Sequence, residues 1–67
     1  MWLLAEPQPL EDALEIEDGP ERIESGWWDG HDVRRDYYVA RTPAGVRLWI
    51  FRERRAPGRW FLHGVFG

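Results

Sequence analysis

Three alternating apolar runs separated by two short turn signals fill the second half of the chain. They leave an antiparallel meander as the natural fold. The first run, Val33 to Arg41, puts Tyr37 and Val39 on one face and Tyr38 and Ala40 on the other. Thr42-Pro43-Ala44-Gly45 follows, with proline second and glycine fourth, as a type I turn prefers. In the next run Val46, Leu48 and Ile50 line one face, while Trp49 and Phe51 line the other. Ala56-Pro57-Gly58-Arg59 then places proline before glycine, the preference of a type II turn. Trp60 to Phe66 forms a last strand that is apolar on both faces.

Upstream, Arg22-Ile23-Glu24-Ser25-Gly26-Trp27-Trp28 reads as a fourth strand with Gly26 as a candidate bulge. Asp29-Gly30-His31-Asp32 reads as a polar loop. Asp18-Gly19-Pro20 is a turn signal. Before it, Leu10, Ala13 and Leu14 have helical spacing, but Leu14 and Ile16 alternate with glutamates like a short strand, which is the preferred reading. Pro7-Gln8-Pro9 favours an extended connection. The expected class is all-β, a small antiparallel sheet or partly open barrel of four to five strands. Residues 1–17 form an acidic, proline-containing lead-in, and 18–67 form the β domain.

Sixty-seven residues make one domain at most, and a chain of this size buries only about 60% of its unfolded surface. Cysteine is absent, which removes disulfides and cysteine-ligated zinc as staples. Five Trp, three Phe and two Tyr take that place, because each large ring buries roughly 150–250 Å². The apolar start, Met1 to Ala5, is too short for a membrane span and lacks the basic flank of a signal peptide. The cytoplasm is therefore the expected location, with no membrane partner.

The net charge of −3 hides a division. Residues 1–32 hold ten acidic groups and one arginine, while 33–67 hold eight arginines against Asp36 and Glu53. Such asymmetry implies two differently charged faces, or an acidic segment folded against a basic sheet. All nine basic residues are arginine, which suits interfaces better than lysine does, although genomic base composition produces the same bias.

Catalytic constellations are weak. Asp29, Asp32 and Asp36 sit close in sequence, but lack the acidic partners on a second element that a two-metal site needs. A solvated turn explains them better. His31 and His63 show no metal-ligand spacing, and His63, between Leu62 and Gly64, fits a hydrogen-bonded, partly buried histidine. One serine, one threonine and no cysteine leave no nucleophile motif. The expectation is a protein without catalytic residues, metal, cofactor or small-molecule substrate.

Basic and aromatic residues interleave more tellingly. Arg47, Trp49, Phe51 and Glu53 share one face, and Arg52 and Arg54 share the other with Leu48 and Ile50. With Arg55, Arg59, Trp60 and Tyr38 nearby, three readings compete. The rings are core and the arginines snorkel around it; one face meets a protein partner through the residue types enriched at hot spots; or the rings form a stacking platform for single-stranded DNA. The protein interface is favoured, with DNA secondary.

Gly19-Pro20-Glu21-Arg22-Ile23-Glu24-Ser25-Gly26-Trp27-Trp28-Asp29-Gly30, then Arg35-Asp36-Tyr37-Tyr38, Leu48-Trp49-Ile50-Phe51-Arg52 and Trp60-Phe61-Leu62-His63-Gly64, together resemble the C-terminal end of the ImuB family. These are bacterial relatives of Y-family DNA polymerases that assist translesion synthesis after DNA damage. The resemblance runs from about Asp18 to the end and is loose over residues 1–17. It implies an adaptor that has lost polymerase chemistry and touches a RecA-like accessory protein or an error-prone C-family polymerase. Gln8-Pro9-Leu10-Glu11 lacks the paired apolar end of a clamp-binding motif, so clamp binding does not carry over. Met1 directly before this segment fits an excised fragment and a stand-alone relative equally. The expected partner-binding residues are Trp28, Tyr38, Trp49, Phe51, Arg52, Arg54 and Arg55. Trp27, Tyr37, Leu48, Ile50, Trp60 and Leu62 are expected mainly in the core, a partition that a one-residue register slip would invert.

Overall fold

The computed structural model describes residues 1–11, 14–25 and 33–66. They form one open antiparallel sheet of five strands: β1 (Trp2–Pro9), β2 (Glu15–Ser25), β3 (Val33–Arg41), β4 (Arg47–Glu53) and β5 (Trp60–Val65). The spatial order is β1-β5-β4-β3-β2, and no helix occurs among the described residues. The all-β expectation holds.

The meander is laid down by its turns. The Gly45 amide donates to the Thr42 carbonyl at 2.9 Å, closing the four-residue turn read from the sequence. Gly45 has φ +85°, the left-handed conformation that ends a type I turn in a hairpin. The second turn differs from expectation. The Gly58 amide donates to the Arg55 carbonyl, so the turn spans Arg55–Gly58 and starts one residue earlier. Pro57 then occupies its third position, after a cis peptide bond, which is a type VI arrangement rather than type II.

Two further expectations are corrected. Asp18-Gly19-Pro20 does not reverse the chain but lies inside β2, as an irregularity between the Asp18–Val39 and Glu21–Tyr37 pairs. Glycine and proline there punctuate a strand by bulging it. Pro7-Gln8-Pro9 is likewise part of a strand, because β1 pairs with β5 through Gln8–Leu62 and Pro9–Phe61. An edge tolerates proline, which removes a donor only where no neighbour needs one. The next residue, Leu10, turns its N–H inward to the Trp60 carbonyl at 2.9 Å. Trp27 and Trp28 lie outside the described residues.

The core sits on one face. Ala40, Leu48 and Ile50 are buried there, with Tyr38, Trp60, Leu62 and Val65 packed around them. Because β1 and β2 are opposite edges, the segment between Pro9 and Glu15 must link them. Its leucines, Leu10 and Leu14, both pack on this cluster. Burying each Leu or Ile side chain fully contributes about 1.5–3 kcal/mol, so these few residues matter greatly.

The charge asymmetry resolves as an acidic edge strand against arginines. Arg22 of β2 pairs with Asp36 at 3.3 Å. Glu17 bridges Arg41 and Arg47, and Glu24 pairs with Arg54. The other edge is apolar at its start, where Met1, Trp2 and Leu3 are exposed, Trp2 at 75%.

Candidate interaction site

The second face of the sheet is built from the odd-numbered residues of β3 and β4. Tyr37 stands opposite Phe51, and Val39 opposite Trp49. On β5, Phe61 pairs with Phe51 and Gly64 with Trp49, while Ile50 pairs with Leu62. His63 is therefore the additional residue of a bulge, and its ring joins the same face, 5.0 Å from Trp49 and 5.7 Å from Tyr37.

Trp49 stacks on Tyr37 at 4.1 Å and on His63 at 5.0 Å. If Trp49 lay between those two rings, their separation would approach the sum of these distances. They are instead 5.7 Å apart and joined by a 2.8 Å hydrogen bond between Tyr37 Oη and His63 Nδ1. Both consequently lie beneath one side of the indole. Tyr37 is only 3% exposed, while Trp49 is half-buried.

The platform is held by a directional chain. Arg35 Nη1 donates to Tyr37 Oη at 3.1 Å. A guanidinium can only donate, so the hydroxyl accepts from Arg35 and shares a second hydrogen bond with His63 Nδ1. Burial, and next the Arg35 charge, hold the His63 pKa below its ordinary value of 6.5, in keeping with a neutral ring. Arg35 also covers Phe51, its Cζ 4.2 Å from the ring centre.

Carboxylates rim this platform on the β2 side. Register puts Asp18 beside Val39 and Glu21 beside Tyr37. Between the β2 bulge and Trp49 lies a notch of 70 Å³, lined by Asp18, Gly19, Glu21, Tyr37, Tyr38, Val39 and Trp49. Gly19, at φ +120°, seats the bulge so closely that a Cβ would stand 2.8 Å from the Tyr37 carbonyl oxygen.

Among the described residues, those expected to bind a partner are divided between the two faces of the sheet. Trp49 is on the platform. Phe51 is on the same face but 2% exposed, sealed beneath Arg35 and the neighbouring rings, so it supports the platform without offering a contact of its own. Tyr38 belongs to the core face, its ring tilted against Trp60 at 5.1 Å. Tyr38, Arg52, Arg54 and Arg55 line a separate open depression of 440 Å³ with Asp36, Glu53 and the turn. There Arg52 Nε donates to the Gly58 carbonyl at 3.3 Å, and Arg54 is engaged by Glu24. Trp28 lies outside the described residues. Sequence reasoning missed the Tyr37–His63 pair, because the β5 bulge shifts His63 out of simple alternation. Among the described residues no group of His, Asp and Glu could hold a metal.

The chain is 39% identical over 62 aligned residues to Protein ImuB of Caulobacter vibrioides strain NA1000 / CB15N, and equally to that of strain ATCC 19089 / CIP 103742 / CB 15. It resembles one segment of ImuB. The match covers 75% of this chain but spans only 14% of the length of ImuB. No family model matches, and no solved structure gives a significant match.

Proposed function

We propose that the chain is a non-catalytic adaptor module of the bacterial damage-induced translesion synthesis machinery. On this reading residues 18–67 correspond to the C-terminal end of ImuB. They would act in the cytoplasm and dock a RecA-like accessory protein or an error-prone C-family polymerase. The observation that carries it is the half-buried Trp49 ring, backed by the hydrogen-bonded Tyr37–His63 pair. A large ring fixed in place before binding loses little freedom on association, and tryptophan is the residue type most enriched among binding hot spots. Arg52, Arg54 and Arg55 would supply a second contact from the other face.

Pull-down with each partner tests this. Trp49→Ala should lower capture by at least tenfold, the effect of losing one hot-spot ring, while the circular dichroism of the sheet persists. If the wild-type chain captures neither partner, the adaptor reading fails. The alternative is single-stranded DNA on the depression where Tyr38 meets Arg52, Arg54 and Arg55. Binding through several arginines would weaken steeply as salt rises, and an oligonucleotide titration at low salt that gives no binding removes it.

A further inference from the structure

We propose that the notch between the β2 bulge and Trp49 receives a lysine or arginine side chain from a partner protein, a reading that rests on the Trp49 platform being the docking face. Charge points to it first. β2 carries a row of carboxylates, but Glu17 is taken by Arg41 and Arg47, and Glu24 by Arg54. Asp18 and Glu21 pair with no cation among the described residues, and Asp18 Oδ1 accepts only the Gly19 N–H, at 2.8 Å. Both lie in register with the aromatic face, beside Val39 and Tyr37, so their unneutralised charge falls where the rings are.

Shape and ring chemistry point the same way. Trp49 and Tyr37 line the notch together with these two acids, and the indole face attracts a cation more strongly than any other side-chain ring does. Next to carboxylates that attraction adds to a Coulombic one, whereas a phosphate or carboxylate ligand would meet repulsion from both acids. The notch is small, 70 Å³, a size suited to the head of one side chain. The bulge that forms one wall is fixed against the β3 backbone, since Gly19 leaves no room even for a methyl group. The partner segment would thus run along the acidic β2 edge and seat one basic residue beside Trp49.

The test titrates the intact chain by ¹H–¹⁵N NMR with N-acetyl-arginine methylamide and its lysine counterpart, using the uncharged citrulline analogue as control. Both cationic probes should shift the Trp49 indole N–H and the amides of Asp18, Gly19 and Glu21 saturably, and citrulline should not. The double change Asp18→Asn with Glu21→Gln, isosteric and exposed, should weaken binding roughly tenfold as the charge term is lost, leaving the rest of the spectrum unchanged. Equal shifts with citrulline, or unchanged affinity in the double variant, would overturn the proposal. Partner capture that depends on Trp49 but ignores the two acids would sink the notch alone; cation binding without partner capture would sink the adaptor reading alone.

Discussion

Trp49 lies over Tyr37 with ring centres 4.1 Å apart and planes 22° from parallel, and this stack makes the phenol an internal part of the molecule. Its hydroxyl then has to be satisfied where little water reaches, which Arg35 and His63 accomplish. Tyr37→Phe should therefore destabilise the domain by about 1–2 kcal/mol, because it leaves His63 Nδ1 and an Arg35 N–H without their shared partner. Urea unfolding followed by tryptophan fluorescence reads this directly. An unchanged midpoint would mean that the hydroxyl chain contributes nothing.

Protonation of His63 gives a signed prediction. Burial and Arg35 lower its pKa in the folded state, so below the ordinary value of 6.5 the unfolded chain binds more protons than the folded one. Stability then rises with pH through that window. It falls as the solution is acidified below 6.5 and levels off once the folded-state pKa is passed. The contribution belongs to the difference between wild type and His63→Asn, measured by thermal melts from pH 7.5 downward. Parallel curves for the two proteins would contradict it.

Two glycines with positive φ should respond unequally to alanine. At Gly45 nothing lies within 4 Å of an added Cβ, so only the left-handed backbone penalty applies, about 1–2 kcal/mol. At Gly19 the same methyl meets the Tyr37 carbonyl oxygen at 2.8 Å and the Tyr38 ring at 2.9 Å. Gly19→Ala should cost more than Gly45→Ala by at least ~1 kcal/mol, since overpacking adds to the strain. Chemical denaturation of both variants decides the order.

Arg41 and Arg47 face each other across the β3–β4 ladder, an arrangement of like charges that disfavours pairing. Glu17 lies between them as a shared counter-charge. Glu17→Gln should destabilise by roughly 0.5–1 kcal/mol, the scale of an exposed charge network, and most of that loss should vanish at 1 M salt. A loss independent of salt would point to packing instead.

The strands that alternate cleanly were legible in the sequence; the irregular ones were not. β3 and β4 show strict period-two patterning closed by a four-residue turn, so their faces follow from residue parity. β5 breaks that parity at His63, and no local feature of Leu62-His63-Gly64 announces it. Gly64 becomes intelligible only in three dimensions, because the Trp2 carbonyl would lie 3.0 Å from any Cβ placed there. β1 was obscured by prolines that a central strand would not accept but an edge does. The candidate site was half legible for the same reason. Trp49 could be placed on an outer face from alternation, whereas Tyr37, its support, looked like ordinary core.

The pairing of β1 with β5 also orders events along the chain. Trp2 faces Val65, so among the described strands the first one synthesised has no neighbour until the last one exists. The β3–β4–β5 meander can assemble through short-range contacts, which form quickly. Closure of β1 joins Trp2 to Val65 across the whole meander and carries the entropic penalty of a long loop. Until that closure, the β5 edge has no strand beside it and Leu10 has not docked. The emerging chain thus holds Trp2–Pro9 without its β5 partner until Trp60–Val65 has been made.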